Sequence, residues 1–353
     1  MQTRWNAVRL AGLEALVEYE GAEIWLYRRL RALRVRLTSV EGIRFTEWLG
    51  TRARKIAAAD LLVDNQADLV MRSLAQLGVP AVLIKGAARR LMSDRFPLAD
   101  ARVTADVDVL IPHEMCDRVL EGLFQAGYRY QFPTDRTPDG HYHLRPLVDS
   151  NGVRVELHVS TSGAAEPAEA WRRATAGGMR AGADLPVQPA TELLWHGLTH
   201  ALETGGGEGG YRLRYFLDGT SVLAGECPLD WDELARRMDG PEVPSRKLAV
   251  SWLRTAQWFA GADIPSEILG DIPPFPLRRL LGWRQRVLAQ PLLGRALREK
   301  ALSEATRVEV GLPLTPSAKG RAKIIQLRRR TAAAVVRAGY LGWRRMSNVK
   351  SEM

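Results

Sequence analysis

The sequence of 353 residues predicts an α+β fold, in which a cluster of short strands lies between two helical regions. Three observations support this fold class. Apolar residues recur at helical spacing within residues 57–77. Short apolar runs bounded by turn residues, which are typical of buried strands, occur between residues 81 and 159. Beyond about residue 163, strand patterns stop and helical spacing returns.

The N-terminal region, residues 1–77, is expected to be helical. Its clearest helix ends at Gly78 and Pro80, which are helix stop signals. Arginine is frequent within residues 28–44. A solvated helix face is the simpler interpretation of these arginines, and a binding patch is the alternative.

The central region, residues 78–165, carries the predicted strands. Its first strand, at 81–84, ends at Lys85-Gly86, and helical character resumes at 87–92. A glycine turn between a strand and a helix points free backbone N–H groups outward, which favours phosphate binding. The other predicted elements are a helix at 112–126 and strands at 105–111, 128–132, 142–148 and 153–159, the last two joined by a hairpin turn at Asn151-Gly152.

The C-terminal region, residues 186–310, is expected to be helical, beginning with a helix at 191–202. Five glycines within residues 203–210 predict a flexible loop. Further helices are predicted at 212–224, 230–238, 245–260, 275–290 and 293–306. A linker at 311–316 then leads to a basic tail, residues 317–353, in which residues 318–346 form a candidate amphipathic helix.

The positive charge of the chain is concentrated in this tail. The formal net charge is +10, and the tail alone has ten lysines or arginines against one acid. Such a tail can bind nucleic acid or an anionic membrane, although docking on the protein itself is the favoured interpretation. The chain has two distant cysteines, Cys116 and Cys227, no long apolar run and no secretory-type N-terminus, so we expect a cytoplasmic protein.

Three acids fall on strands predicted for the central region. Asp106 and Asp108 lie two residues apart in the strand at 105–111, so they project from the same face. Two carboxylates this close repel each other, and a divalent cation commonly neutralises them. Glu156 is the acid of the predicted strand at 153–159. Three carboxylates on adjacent strands can hold two Mg²⁺ ions, an arrangement that serves phosphoryl and nucleotidyl transfer.

These motifs resemble the DNA polymerase β-type nucleotidyltransferase superfamily and, more narrowly, its bacterial family of uncharacterised nucleotidyltransferases. The resemblance covers residues 80–160 and extends more weakly to residues 189–223. It implies a small mixed β-sheet as a nucleotidyltransferase core, with helical N-terminal and C-terminal additions. The signatures that carry it are Lys85-Gly86, Asp106-Val107-Asp108-Val109-Leu110 and Glu156-Leu157-His158.

The resemblance also implies roles for individual residues. Asp106, Asp108 and Glu156 are the expected catalytic residues and the ligands of two Mg²⁺ ions, for which Mn²⁺ can substitute. In this superfamily the third acid, here Glu156, also helps to deprotonate the acceptor hydroxyl. Gly86 matches the glycine of the turn that grips the nucleotide.

One position departs from the pattern of the superfamily. Ala87 stands where many members have serine or glycine, so a hydroxyl contact with phosphate is missing. Lys85 or Arg102 can supply that contact, because Arg102 lies four residues before Asp106 in the approach to the strand. We therefore expect Lys85, Gly86 and Arg102 to bind the nucleotide.

Histidines near these motifs are candidate substrate contacts. His158 shares the strand face of Glu156, and His143 follows His141 at the start of a predicted strand. Structural hydrogen bonds are the alternative role for both His158 and His143. His196 and His200 lie one helical turn apart, and we expect them to pack the helix or to line an acceptor cleft. 

The implied reaction is transfer of a nucleoside monophosphate, AMP by default, from an NTP such as ATP to an acceptor hydroxyl, with release of pyrophosphate. The acceptor belongs to a small molecule, a peptide or a protein. Two other functions stay open from the sequence. One is a catalytically silent module for nucleotide binding or partner docking, and the other is an enzyme that adds nucleotides to RNA ends and grips the RNA with its basic tail.

Overall fold

The fold is described from a computed structural model over residues 7–288, except for residues 97, 100, 133–141, 162–165, 183 and 206–211. His141, the predicted helix at 293–306, the linker and the basic tail lie outside the described residues. None of the helices within the described ranges is long and apolar enough to cross a membrane.

Three helices make up the N-terminal region, as predicted: α1 (Ala7–Glu20), α2 (Glu23–Ala32) and α3 (Val40–Gln76). Helix α3 begins far earlier than the spacing in residues 57–77 indicated. Its first turn is capped by Ser39, whose hydroxyl accepts a hydrogen bond from the backbone N–H of Gly42 at 3.1 Å. The buried side chains of Val17, Phe45 and Leu49 pack α1 against α3.

A five-stranded mixed sheet forms the centre of the fold and confirms the predicted fold class. Two neighbouring strands, β2 (Asp106–Leu110) and β5 (Arg154–His158), are parallel, and every other pair in this sheet is antiparallel. On the face of β2 and β5 opposite to the acids, apolar residues such as Val107 and Leu157 are fully buried. In the spatial order β1-β2-β5-β4-β3, the strands are Val82–Leu83, Asp106–Leu110, Arg154–His158, Leu147–Val148 and Arg129–Tyr130.

The connections between the strands follow the sequence closely. Helix α4 (Lys85–Leu91) follows β1 directly, and a short 3-10 helix (His113–Met115) leads into α5 (Cys116–Gln125). The hairpin predicted at Asn151-Gly152 joins β4 to β5. Its turn is fixed by Asp149, whose carboxylate accepts hydrogen bonds from the backbone N–H groups of Asn151 and Val153.

The expectation that strands stop after residue 163 is wrong. Strands β6 (Arg180–Ala181) and β7 (Leu185–Pro186) form a second, two-stranded sheet. Just after β7, Val187 bridges Leu83 of β1, and the N–H of Gln188 donates to the carbonyl of Leu83 at 3.0 Å. Each of these strands is only two residues long, so no alternation of polarity marks them in the sequence.

Within the described residues after β7, the regular elements are helices. Helix α7 runs to Gly205, three residues beyond the expected end, and so takes up the start of the predicted glycine loop. The sequence reading did not include α6 or α11, which are short. In chain order the helices are α6 (Pro167–Thr175), α7 (Ala190–Gly205), α8 (Leu213–Leu223), α9 (Trp231–Met238), α10 (Arg246–Ala260), α11 (Ser266–Leu269) and α12 (Leu277–Leu288).

Candidate active site

The three predicted acids lie on one face of the central sheet. The parallel register of β2 and β5 places Asp108 opposite Glu156 and Asp106 opposite Arg154. Because paired residues on neighbouring strands project to the same side, and so do residues two apart, all three carboxylates point the same way. The sheet register therefore brings Glu156 next to two acids that lie 48 and 50 residues before it in the chain.

Asp108 is the most tightly surrounded of the three acids. Lys85 donates from Nζ to its Oδ1 at 2.8 Å, and Nε2 of His158 lies 2.8 Å from the same oxygen. Burial by itself raises the pKa of this carboxyl, but the charge of Lys85 and the hydrogen bond from His158 outweigh it, so the pKa of Asp108 lies well below its usual value. Asp108 is therefore ionised over the whole physiological pH range.

Asp106 and Glu156 have less positive charge around them. Arg154 donates to Asp106, and its Nε lies 3.4 Å from Oε1 of Glu156. Burial, reinforced by repulsion from Asp108, raises the pKa of both Asp106 and Glu156 despite this arginine. Burial and repulsion between the acids therefore disfavour the ionised forms of both carboxyls, which a further bound cation would stabilise.

The acids fit a divalent cation. Ligand atoms of Asp108, Glu156 and His158 all lie within 4.8 Å of one another. Carboxylate oxygens are the ligands that Mg²⁺ prefers, and an imidazole nitrogen beside them is also compatible with Mn²⁺. A cation held here supplies the positive charge that Asp106 and Glu156 lack.

His158 is placed as a partner of the acids. Its side chain is fully buried, its ring stacks on Tyr142 with centroids 5.6 Å apart, and it hydrogen-bonds Asp108. Burial and the charge of Lys85 lower the pKa of His158 to about 3, so the ring is neutral. His143, the other candidate contact, forms an isolated β-bridge with His158 and lines the cavity described below.

Lys85 and Gly86 occupy the sharp turn between β1 and α4. Lys85 adopts a left-handed backbone conformation with φ of 54°, which is unusual for a residue with a side chain. Its ammonium group points towards Asp108 and lies 3.4 Å from Nε2 of His158. A Cβ at Gly86 would lie 3.0 Å from Cγ2 of Thr104, so this glycine lets α4 approach the segment that precedes β2.

Helix α3 contacts the segment that precedes β2 and fixes its position. The buried carboxylate of Asp60 accepts from the backbone N–H of Thr104 at 3.1 Å and from Arg90 at 2.9 Å. Arg90 also forms hydrogen bonds with Asp64, one turn further along α3. These contacts join α3, α4 and the start of β2, which together set the position of Lys85 relative to Asp108.

Arg102 belongs to a second charged cluster, on the helical side of the site. Its Nε donates to Oδ1 of Asp218 at 2.5 Å, and Nη2 of Arg89 donates to the same oxygen at 2.5 Å. Asp218 lies on α8, and the charges of Arg102 and Arg89 hold its pKa below the usual value against the opposing effect of burial. The sequence did not predict Arg89 or Asp218 as site residues, although Asp218 is the one acid in helix α8.

The two clusters line one cavity of about 340 Å³. The sheet forms its acidic side, and α7 and α8 form the opposite side. Among the described residues that line it are five cationic side chains and four carboxylates. Gly86 is not among these lining residues. The cations are Lys85, Arg89, Arg102, Arg154 and Arg214, and the carboxylates are Asp106, Asp108, Glu156 and Asp218.

His196 and His200 of α7 line the helical side of the cavity. Both ring nitrogens of His196 are buried and have no hydrogen-bond partner among the described residues. Burial lowers the pKa of His196 well below its usual value and that of His200 to about 4. Both rings are therefore neutral, which agrees with the expectation that they pack the helix or line a cleft.

Nucleotidyl transfer requires carboxylates for divalent cations next to cationic side chains for phosphate groups, and this cavity holds both. Fold and site together define the class as a nucleotidyltransferase. The comparison with protein families agrees: the chain belongs to the uncharacterised nucleotidyltransferase family, whose model matches residues 13–260. The match extends beyond the motifs recognised in the sequence, from within α1 to the end of α10. A search of the curated proteins finds no match.

Proposed function

We propose that this enzyme transfers a nucleoside monophosphate, with ATP as the first donor to test, to an acceptor hydroxyl and releases pyrophosphate. The observation that carries the proposal is the pairing of Asp108 with Glu156 across two parallel strands, with Asp106 on the same face, at the side of a cavity lined by cations. We place the reaction in the cytoplasm, because that compartment holds the NTP pool.

Asp106, Asp108 and Glu156 are the proposed ligands of two divalent cations, Mg²⁺ in the first instance. Bound there, the cations would activate the attacking oxygen and neutralise charge on the leaving phosphate. Lys85 competes for Asp108, because its ammonium already lies 2.8 Å from that carboxylate. Lys85 is thus expected to weaken metal binding in the absence of nucleotide and to turn to a phosphate oxygen in its presence.

Arg102, Arg89 and Lys85 are the proposed phosphate contacts. The described lining residues contribute five cations and four carboxylates, so the cavity is nearly neutral without bound ions. Addition of two divalent cations makes it strongly positive, which matches the roughly four negative charges of a nucleoside triphosphate. This balance predicts that nucleotide and metal bind cooperatively. The role of Gly86 in this scheme is indirect, because it allows the close packing against Thr104 that positions Lys85.

Glu156 is the proposed general base. Its carboxylate lies on the same sheet face as the two aspartates, where it could accept the proton of a hydroxyl bound beside the cations. As the acceptor oxygen forms its bond to the α-phosphorus, the hydroxyl proton moves to Glu156. The bond between the α-phosphorus and the bridging oxygen breaks, and the pyrophosphate leaves with that oxygen.

The acceptor is expected on the side of α7 and α8, where His196 and Tyr215 line the cavity, with His143 lining it from beside β5. Imidazole and phenol groups can both donate and accept hydrogen bonds, as recognition of a hydroxyl compound requires. An aminoglycoside-like sugar, a natural-product intermediate and a serine, threonine or tyrosine hydroxyl of a peptide or protein all meet this requirement.

The experiment that tests the proposal uses the four α-labelled NTPs, Mg²⁺ and a host lysate. Wild-type protein is compared with Asp108→Asn and with Asp184→Asn, a control that removes one carboxylate from the surface, where Asp184 is 78% exposed. The account expects a labelled product with wild type and with the control, and none with Asp108→Asn. Labelling that survives in Asp108→Asn, or that never occurs with folded wild type, contradicts the proposal. The labelled species identifies the acceptor as small molecule, protein or RNA.

A further inference from the structure

The arginine-rich stretch at residues 28–44 forms the tip of a helical hairpin, which we call the hairpin tip. It comprises the last turn of α2, the connection 33–39 and the first turn of α3. The tip has a defined backbone, because Arg34 takes a left-handed conformation with φ of 51° and Ser39 caps α3. Leu30 and Leu37 pack inward against the cluster of Val17, Phe45 and Leu49.

The hairpin tip is strongly basic and lies on the surface. It has six arginines and one acid, Glu41, within 17 residues, and all six arginines are exposed. They are not among the described residues that line the proposed active site, so the proposed reaction does not account for their charge. They are Arg28, Arg29, Arg31, Arg34, Arg36 and Arg44.

The same tip exposes four large aliphatic side chains. Leu33 is 59%, Val35 43%, Val40 63% and Ile43 47% exposed. A single exposed leucine or valine is ordinary on a protein surface, but four within 11 residues at the end of one hairpin are unusual. Arginines are interspersed among them in the sequence, so a purely apolar partner surface would leave those charges without partners.

Aliphatic and cationic side chains mixed in this way fit the surface of an anionic bilayer. Aliphatic groups enter the boundary between head groups and acyl chains, while the long arginine side chains reach the lipid phosphates. A nucleic acid has the same negative charge, but the proteins that bind single strands commonly add aromatic side chains that stack on bases. Residues 28–44 contain no aromatic residue, so the composition favours the membrane.

We propose that the hairpin tip docks this enzyme on membranes that contain anionic phospholipids. The proposal is independent of the reaction assigned to the cavity and of the basic tail. Docking of this kind is peripheral: the tip inserts shallowly, and the rest of the protein stays on the aqueous side of the lipid surface.

The test is cosedimentation of the full chain with vesicles of phosphatidylcholine alone or with about 30 mol% phosphatidylserine. Arg34→Gln/Arg36→Gln removes two charges from the hairpin tip. The control, Arg172→Gln/Arg236→Gln, removes two exposed charges from α6 and α9. We expect the tip variant to bind anionic vesicles about 30-fold more weakly than wild type, whereas the control binds within about threefold. Circular dichroism establishes that both variants are folded.

A second pair of measurements separates the alternatives. Val40→Ser/Ile43→Ser retains every charge and is expected to weaken binding to anionic vesicles about tenfold. A fluorescent single-stranded RNA serves as the competing polyanion. The proposal is overturned if neutral vesicles bind as well as anionic ones, if the tip variant and the control lose binding equally, or if the tip variant loses binding to RNA but not to vesicles.

Discussion

Asp218 is predicted to be the most costly single carboxylate in the cavity to neutralise. Its side chain is 6% exposed and accepts hydrogen bonds from Arg89 and Arg102, each at 2.5 Å. Asp218→Asn preserves the shape but removes the charge, so two guanidinium groups are left facing each other without a counter-ion. Arg102 retains a hydrogen bond to the carbonyl of Val103 at 3.0 Å, whereas Arg89 is 4% exposed and has little contact with water.

Breaking a buried ion pair by removal of one partner costs about 3–5 kcal/mol, because a buried charge is left uncompensated. This loss is a large fraction of the 5–15 kcal/mol that typically separates folded and unfolded chains. We therefore expect Asp218→Asn to fold but to lose about 3–5 kcal/mol of unfolding free energy. Urea unfolding followed by far-UV circular dichroism at neutral pH measures the difference.

Two further variants serve as comparisons for the loss of unfolding free energy in Asp218→Asn. Arg102→Met leaves the pair of Arg89 and Asp218 intact, so its loss should be clearly smaller than that of Asp218→Asn. Asp184→Asn breaks an exposed ion pair with Arg180 and should change the unfolding free energy by no more than about 0.5 kcal/mol. A loss below about 1 kcal/mol for Asp218→Asn refutes the reasoning that Asp218 neutralises both arginines.

Three further predictions concern single residues of the site. Glu156→Gln should lower pyrophosphate release at least ~100-fold yet raise the melting temperature, because burial and neighbouring carboxylates raise the pKa of Glu156 and its ionised form destabilises the fold. Burial and a nearby lysine lower the pKa of His200 from 6.5 to about 4, so the unfolded chain takes up the proton first and stability falls as the pH drops through this range. His200→Gln should remove up to about 3 kcal/mol of that decline in urea unfolding, and an unchanged decline contradicts the assignment. Gly86→Ala should cost about 1–3 kcal/mol, because its Cβ would lie 3.0 Å from Cγ2 of Thr104, and Thr104→Ser in the same chain should recover part of the loss.

The acids of the site were predictable because strand periodicity is local. Two residues apart in an apolar run, Asp106 and Asp108 had to share a face. That Glu156 stands directly opposite Asp108 depends on the register of β2 and β5, which no stretch of the sequence contains by itself. The family resemblance supplied that relation in advance, and the sheet now accounts for it physically.

The charged cluster around Asp218 could not be derived in the same way. Arg89 and Arg102 lie 129 and 116 residues before Asp218, and only the packing of α8 on α4 brings them together. The contact of Lys85 with Asp108 is equally non-local, because it depends on a left-handed backbone that lysine rarely adopts. Local patterns predict elements, whereas these contacts follow from tertiary packing.

Helix α3 was predicted correctly, but only part of the apolar pattern that predicted it is buried. Leu61, Leu62 and Leu69 contributed to the apolar spacing that predicted it, yet their side chains are 67%, 53% and 43% exposed. Val70 and Leu74 belong to the same apolar spacing and are buried, as is Val63. The sequence of a helix does not say what the helix packs against. When apolar residues lie on more than one face, the sequence therefore does not fix which face is buried.

The most direct test of the central claim is pyrophosphate release by the purified full chain with each NTP, Mg²⁺ and the acceptor found by labelling. The account predicts one pyrophosphate per labelled acceptor in wild type, abolition by a chelator, and a loss of at least ~1000-fold in Asp108→Asn. Release of pyrophosphate that continues at the wild-type rate in Asp108→Asn, or without any divalent cation, would contradict the assignment of these three carboxylates as the metal-binding centre.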